Sequence, residues 1–313
     1  MTGADHEPAG EYDHDVVVIG GGPAGSTVGI FTARYGLDTL VFDRGRSSIR
    51  RCAHLKNYPG FPAGIDIETF YGLLHDHIRE GGCTLREDLV ESVTAFETPA
   101  AGGFVVDPQD GEQVTARRVV AATRYDGEYL WPLDADGEMV ATSAEDGDKT
   151  EQFKKDYPNA DGSTPIEGLY VATPSGADEQ AIIAAGRGGV TARTLLRDHR
   201  RASGIPETLA DHYDWVRQRA ELDEEWHDRE TWREYLDDRV EEATGEQWNV
   251  ATRESEIDRI LASYIDDDEI ANRRERGQDR LLEHVDNDRV LARAREIEAA
   301  RDADTERDNG GGD

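Results

Sequence analysis

The chain alternates short unbroken apolar runs with longer mixed stretches. The runs at residues 16–19 (VVVI), 39–42 (TLVF), 119–122 (VVAA) and 169–172 (LYVA) are brief and rich in β-branched side chains. Such runs predict strands covered on both faces, as in a parallel sheet. With helical patterns between them, residues 13–203 read as an α/β core. The break Ser203-Gly204-Ile205-Pro206 then changes the pattern. Residues 204–302 read as acidic helices and carry four of the five tryptophans, Trp215, Trp226, Trp232 and Trp248. A helix is predicted over 212–240 (HYDWVRQRAELDEEWHDRETWREYLDDRV), its aromatics spaced to form a seam. That seam serves as a cap on the first domain or as a partner or homodimer surface. Residues 1–12 and 303–313 are polar, glycine-containing tails for which no structure is predicted.

One strand runs directly into a glycine-packed turn, in DHDVVVIGGGPAGSTVGIF at residues 13–31. Gly20, Gly22 and Gly25 fall at the G-x-G-x-x-G positions. Gly20 permits the tight turn, Gly22 lets a pyrophosphate approach the backbone, and Gly25 lets helix and strand pack closely. The helix opening at Pro23 and Ala24 then offers unpaired N–H groups and a partial positive charge to phosphates. About twenty residues on, Asp43 ends the second strand, where a carboxylate takes a ribose hydroxyl and disfavours a 2′-phosphate. Strand, glycines, helix and acid together predict a Rossmann-like dinucleotide-binding domain. Spacing alone leaves FAD and NAD open.

Charge narrows the setting. There are 67 acidic against 35 basic residues, a formal net charge of −32, and only four lysines (Lys56, Lys149, Lys154, Lys155). Such a surface repels nucleic acid and anionic membrane. At about 1 M ionic strength the Debye length shrinks to roughly 3 Å, which screens the repulsion. The composition is that expected of a cytoplasmic, haloarchaeal-type halophilic protein, with an acidic mesophilic protein as the alternative. Two cysteines form no framework, there is no secretory n- and h-region pattern, and no apolar run has transmembrane length. A soluble protein is expected.

Three segments, GGGPAG, CAHLKNYPGFPAGIDIETFYGLLHDHIREGG and GLYVATPSGADEQAIIAAGRGGVTA, occur in the order of the thioredoxin-reductase-like FAD-dependent pyridine nucleotide-disulphide oxidoreductases, which the chain resembles over residues 14–125 and 166–197. The resemblance implies a three-layer ββα FAD/NAD(P)-binding fold with an α-helical C-terminal extension, and FAD as cofactor. It implies that Gly20, Gly22, Pro23, Ala24 and Gly25 hold the pyrophosphate, and that Asp43 and Arg44 lie near the adenosine ribose. Asn57 is implied near the flavin, Val90 at the adenine through its backbone, and Ala122 with Thr123 under the dinucleotide. Gln180, Ala181 and Ile182 would open a helix whose dipole favours negative charge on reduced flavin.

Three departures qualify the resemblance. The gap between residues 122 and 169 holds fewer than fifty residues and no second glycine fingerprint, so the family's NADPH domain has no room. The redox-active cysteine pair of that domain is absent too. Cys52, beside Arg50 and Arg51, is the candidate catalytic thiol, against its being an ordinary loop cysteine. Cys83 reads as a small core residue. The family's ATG turn is VAATRYDG here, its Gly-Asp pair is Thr173-Pro174, and a basic residue is Glu179, with Asp178 as a substitute carboxylate. His75 and His77 lie two apart on a helix and face apart, so no metal site is expected. The sequence therefore predicts an FAD-dependent oxidoreductase whose flavin is reduced by a partner protein such as a ferredoxin, or by NAD(P)H without a dedicated domain. The rival is an FAD domain that has lost its chemistry and serves as a binding or scaffold module.

Overall fold

The computed structural model describes residues 12–97, 102–124, 127–145, 148–174, 180–244 and 248–309. Its chain forms two compact units, one comprising Met1–Trp215 with Glu224–Leu261, the other Val216–Asp223 with Ala262–Asp313.

The first unit begins with β1 (His14–Ile19), α1 (Pro23–Tyr35) and β2 (Thr39–Phe42), followed by the short pair β3 (His54–Leu55) and β4 (Ile65–Asp66). Helix α2 (Ile67–Glu80) leads to β5 (Thr84–Arg86), then come β6 (Val90–Glu97), β7 (Gly102–Pro108) and β8 (Val114–Ala122). A hairpin, β9 (Val140–Glu145) and β10 (Asp148–Phe153), precedes β11 (Leu169–Thr173) and the long α3 (Ala181–Ala202). Strands β5, β2, β1, β8 and β11 lie side by side in parallel. Along its other edge β8 changes neighbour: residues 114–116 pair antiparallel with β7, and 119–122 pair parallel with β11. The meander β6–β7–β8 thereby joins the parallel sheet through one shared strand.

All four apolar runs are strand segments, and the reason is visible in β1. Val16 and Val18 enter a core cluster with α1, α2 and α3, while Val17 and Ile19 enter a second with β6, β7 and Leu130. Both faces of the strand are covered, so its sequence shows no polar alternation. The result is the three-layer arrangement of meander, parallel sheet and helices. Cys83 belongs to the first cluster, and burial followed by the charge of Asp38 pushes its thiol up to about 12, as a core cysteine requires.

Helices α4 (Arg229–Thr244) and α5 (Val250–Ala262) also pack into the first unit. Arg200 of α3 is 2% exposed and donates from Nη1 and Nη2 to Glu256 of α5, both at 2.9 Å, as well as to the carbonyls of Leu209 and Ala210. Trp226, Trp232 and Tyr235 form an edge-to-face cluster with centroids 4.7 to 6.1 Å apart. The helix expected over 212–240 is shorter than the spacing suggested and starts only at Arg229. Asp214 is drawn off by an ion pair to Arg34, and Asp228 accepts from Glu230 N–H at 3.1 Å, which marks a start there.

In the second unit, β12 (Arg217–Gln218) pairs with β13 (Tyr264–Ile265), followed by α6 (Asp267–Leu282) and α7 (Asn287–Asn309). Residues 303–309, expected as part of a tail, continue α7. The segment ARDADTERD supplies alanine, arginine and glutamate, which extend a helix already nucleated upstream.

Candidate dinucleotide site

A cavity of about 480 Å³ opens at the C-terminal ends of β1, β2, β8 and β11, within the range of small-molecule sites. Its floor is the glycine turn. Gly20 has φ +115°, and a Cβ there would lie 2.5 Å from the Ala122 carbonyl oxygen. At Gly25 a Cβ would come within 1.7 Å of the Gly20 carbonyl oxygen, so no side chain fits between α1 and the strands. Pro23 opens α1 at a position where a missing N–H costs nothing. Gly22 faces Ser47, whose Oγ would lie 2.8 Å from a Cβ there, which makes Ser47 a neighbour of the phosphate position that the sequence reading missed.

The stretch 44–56 also lines the cavity, through Arg44, Arg46, Ser47, Ser48, Ile49, Cys52 and Leu55, and the stretch carries five basic residues and no carboxylate. In a chain of net charge −32, this local positive stretch beside a helix N-terminus suits a pyrophosphate. Arg44 and Arg46 line the cavity, as do Val90, Ala122, Thr123, Gln180 and Ala181. Gln180 precedes α3 without capping it by its side chain, and the start of that helix lines the cavity through Gln180, Ala181 and Ala184.

Asp43 also lines the cavity, but its carboxylate is largely committed. It is 3% exposed; Oδ1 accepts from Gly45 N–H at 3.1 Å, and Oδ2 accepts from the Tyr71 hydroxyl. The Nε2 of His75 lies 3.0 Å from Oδ2 without hydrogen-bond alignment. Burial alone would raise this carboxyl, but His75, Tyr71 and Gly45 together hold it below the usual range. Burial, then the Asp43 charge, push the Tyr71 hydroxyl up. The sequence reading names His75 only beside His77 and does not name Tyr71; the i, i+4 spacing of Tyr71 and His75 puts both on one face of α2.

The remaining residues named from sequence divide. Asn57 and Ile182 lie outside the cavity wall; Asn57 reaches the site by donating to Gln180 Oε1 at 2.5 Å, and Ile182 is exposed. Asp178 and Glu179 lie outside the described residues. Cys52 is exposed and lines the cavity. Thr173, at the position of the family's Gly-Asp pair, is buried against the cavity.

A glycine floor that no Cβ could share, two helix N-termini and a basic wall fit the group the resemblance implies, and that group is FAD. Residues 14–157 match the family model described as pyridine nucleotide-disulphide oxidoreductase. The thioredoxin reductase of Mycolicibacterium smegmatis is 37% identical over 112 residues, 35% of this chain and 34% of the relative. That of Listeria monocytogenes is 46% identical over 117 residues, 36% and 34% of the two chains. A solved thioredoxin reductase from Gloeobacter violaceus, 17% identical, is matched over 62% of this chain and 96% of its own, with a TM-score of 0.47. The chain spans about a third of the length of the curated relatives it matches. Over residues 14–157 this chain is thus similar to the pyridine nucleotide-disulphide oxidoreductases, and within them to thioredoxin reductases.

Proposed function

We propose that the protein is an FAD-dependent oxidoreductase whose flavin receives electrons from a partner protein or from NAD(P)H bound without a domain of its own. The carrying observation is a full dinucleotide cradle beside a segment too short for a second one. Between Ala122 and Leu169 the described residues form a hairpin and turns, where a nucleotide-binding domain needs about 100 residues. Bound FAD supplies the capacity to accept two electrons and pass them on. The chain's own residues then have distinct tasks. The Gly20–Gly25 turn and α1 hold the pyrophosphate, Asp43 and Arg44 hold the adenosine side, and the N-terminus of α3 stabilises negative charge on the ring. Cys52 is the thiol at the cavity available for exchange chemistry. The acidic surface supports a cytoplasmic setting of high salt, and no described helix is long and apolar enough to cross a membrane.

Stopped-flow mixing of oxidised full-length protein with NADPH tests the reading. Flavin absorbance is expected to bleach slowly with NADPH and rapidly with a competent protein donor such as a reduced ferredoxin. Rapid bleaching by NADPH alone would reveal a nicotinamide site within this short chain. The scaffold reading draws support from Thr173-Pro174 in place of the Gly-Asp pair and from the exposed Tyr213–Trp215 ring pair, centroids 5.6 Å apart. A colourless protein that takes up no added FAD would establish it.

A further inference from the structure

Among the described residues two arginines are buried, and only one of them has a counter-charge. Arg200 is met by Glu256 at 2.9 Å. Arg118 is 5% exposed; its Nη1 has no hydrogen-bond partner, and no carboxylate forms an ion pair with it among the described residues. Burial brings the guanidinium pKa down, Arg117 adds to that, and Tyr170 and Asp15 offset it only in part. An arginine nevertheless keeps its charge, and buried charges are otherwise paired. In a chain with 67 acidic residues, a buried guanidinium that none of them meets points to a partner taken from solution.

The space for such a partner lies beside Arg118. Between residues 116 and 119, β8 leaves β7 and takes β11 as its neighbour, and Arg117 and Arg118 stand at that divide. Both line a cavity of about 220 Å³ near the first residues of β11, whereas the dinucleotide cavity meets its last residue, Thr173. One water takes up only about 30 Å³. The walls also select among anions. Ser163 donates its hydroxyl to Asp161 Oδ1 at 2.7 Å, and Thr164 directs its own at the Ile166 and Leu169 carbonyls, so neither has a proton for a ligand. Asp198 lines the cavity with its carboxylate answered by the Tyr170 hydroxyl at 2.9 Å and by Arg201 at 3.1 Å, and Glu167 is exposed. A multivalent oxyanion needs several donors and would meet the field of both carboxylates, whereas a halide needs one cation. We infer that this cavity binds a small monovalent anion of the halide class, held by the Arg118 guanidinium.

Two measurements on the full-length protein test this. Crystals grown in molar KBr are expected to show an anomalous bromide peak in this cavity against Arg118. In solution, chloride NMR is run in about 0.5 M potassium sulfate with about 0.1 M KCl, which keeps the ionic strength molar. The wild type is expected to broaden the chloride line, and Arg118→Met to reduce that excess by about fivefold or more, with circular dichroism unchanged. Broadening that survives in Arg118→Met would overturn the inference, as would its absence in the wild type. A bromide peak without chloride broadening is binding at crystal concentration only and overturns it too. If Arg118→Met does not fold, the wild-type bromide map decides, and a cavity holding only water overturns the inference.

Discussion

At the scale of single residues, the glycine turn gives the sharpest test. Gly22→Asp places a side chain against Ser47 Oγ and a negative charge where the pyrophosphate belongs. Flavin content is expected to fall from near stoichiometric to a few per cent, with circular dichroism little changed; wild-type content in the variant would refute the role of this turn. Cys52→Ser asks a narrower question. If the thiol takes part in turnover, flavin binding persists while reoxidation by a disulphide substrate fails, and unchanged turnover would make Cys52 an ordinary loop residue. How far these residues were legible depends on whether their role is local. The roles of Gly20 and Gly25 follow from backbone geometry within a few positions, so the motif announces them. Ser47 comes beside Gly22 and Tyr71 bonds Asp43 only through contacts made in the folded chain, which the local sequence around Ser47 and Tyr71 does not state.

Elements show the same division between local and distant causes. Strands β1, β2, β8 and β11 were legible because burial on both faces writes itself into short unbroken apolar runs. The start of α4 was not, since aromatic spacing in 212–228 imitates a helix while Asp214 and Arg34 bind the chain into another course. Nor does sequence announce that α5 belongs with the first unit, because the attachment is made by partners far apart in the chain, the buried Arg200–Glu256 pair and Arg259 on Tyr35 among them. Glu256→Gln should lower stability by about 3–5 kcal/mol, because the Arg200 guanidinium stays charged and buried. Replacing both residues with apolar ones of similar volume should cost much less, and chemical denaturation separates the two cases. Around the same joint, His199 and His212 meet the Tyr35 ring edge-on, at 5.7 and 4.8 Å. Burial, reinforced by Arg118 for one and Arg200 for the other, brings each imidazole down to about 4. Between pH 6.5 and about 4 the unfolded chain therefore binds protons that the folded chain refuses, so stability falls as pH falls. A loss of about 2–4 kcal/mol is expected between pH 7 and pH 5 in fixed molar salt. His199→Asn with His212→Asn should flatten that slope, and an unchanged slope would place the sensitivity elsewhere.

For the whole molecule, charge decides more than any contact. The excess of 67 acidic over 35 basic residues is spread along the entire chain, so no single ion pair relieves it. Helix α6 contains no buried residue and relies on pairs such as Glu269–Arg273 and Arg280–Glu283 on its own surface. Such exposed pairs contribute little each, typically below 1 kcal/mol, and they weaken in salt. If they dominated, the protein would be most stable in dilute buffer. Net repulsion works over longer distances and is screened as the Debye length falls from about 10 Å at 0.1 M to about 3 Å at 1 M. The imbalance is large enough for repulsion to prevail. Melting temperature is therefore expected to rise by about 10 °C or more between 0.1 and 2 M KCl, roughly 3–5 kcal/mol at 2–4 °C per kcal/mol. The basic wall of residues 44–56 adds a second, opposite dependence, because its attraction for the pyrophosphate is screened by the same ions. Flavin affinity should accordingly peak at intermediate salt, rising as the fold consolidates and declining once the site itself is screened. Flavin fluorescence and far-ultraviolet circular dichroism followed across one KCl series distinguish the two effects, and a melting temperature that falls with added salt would overturn the charge argument.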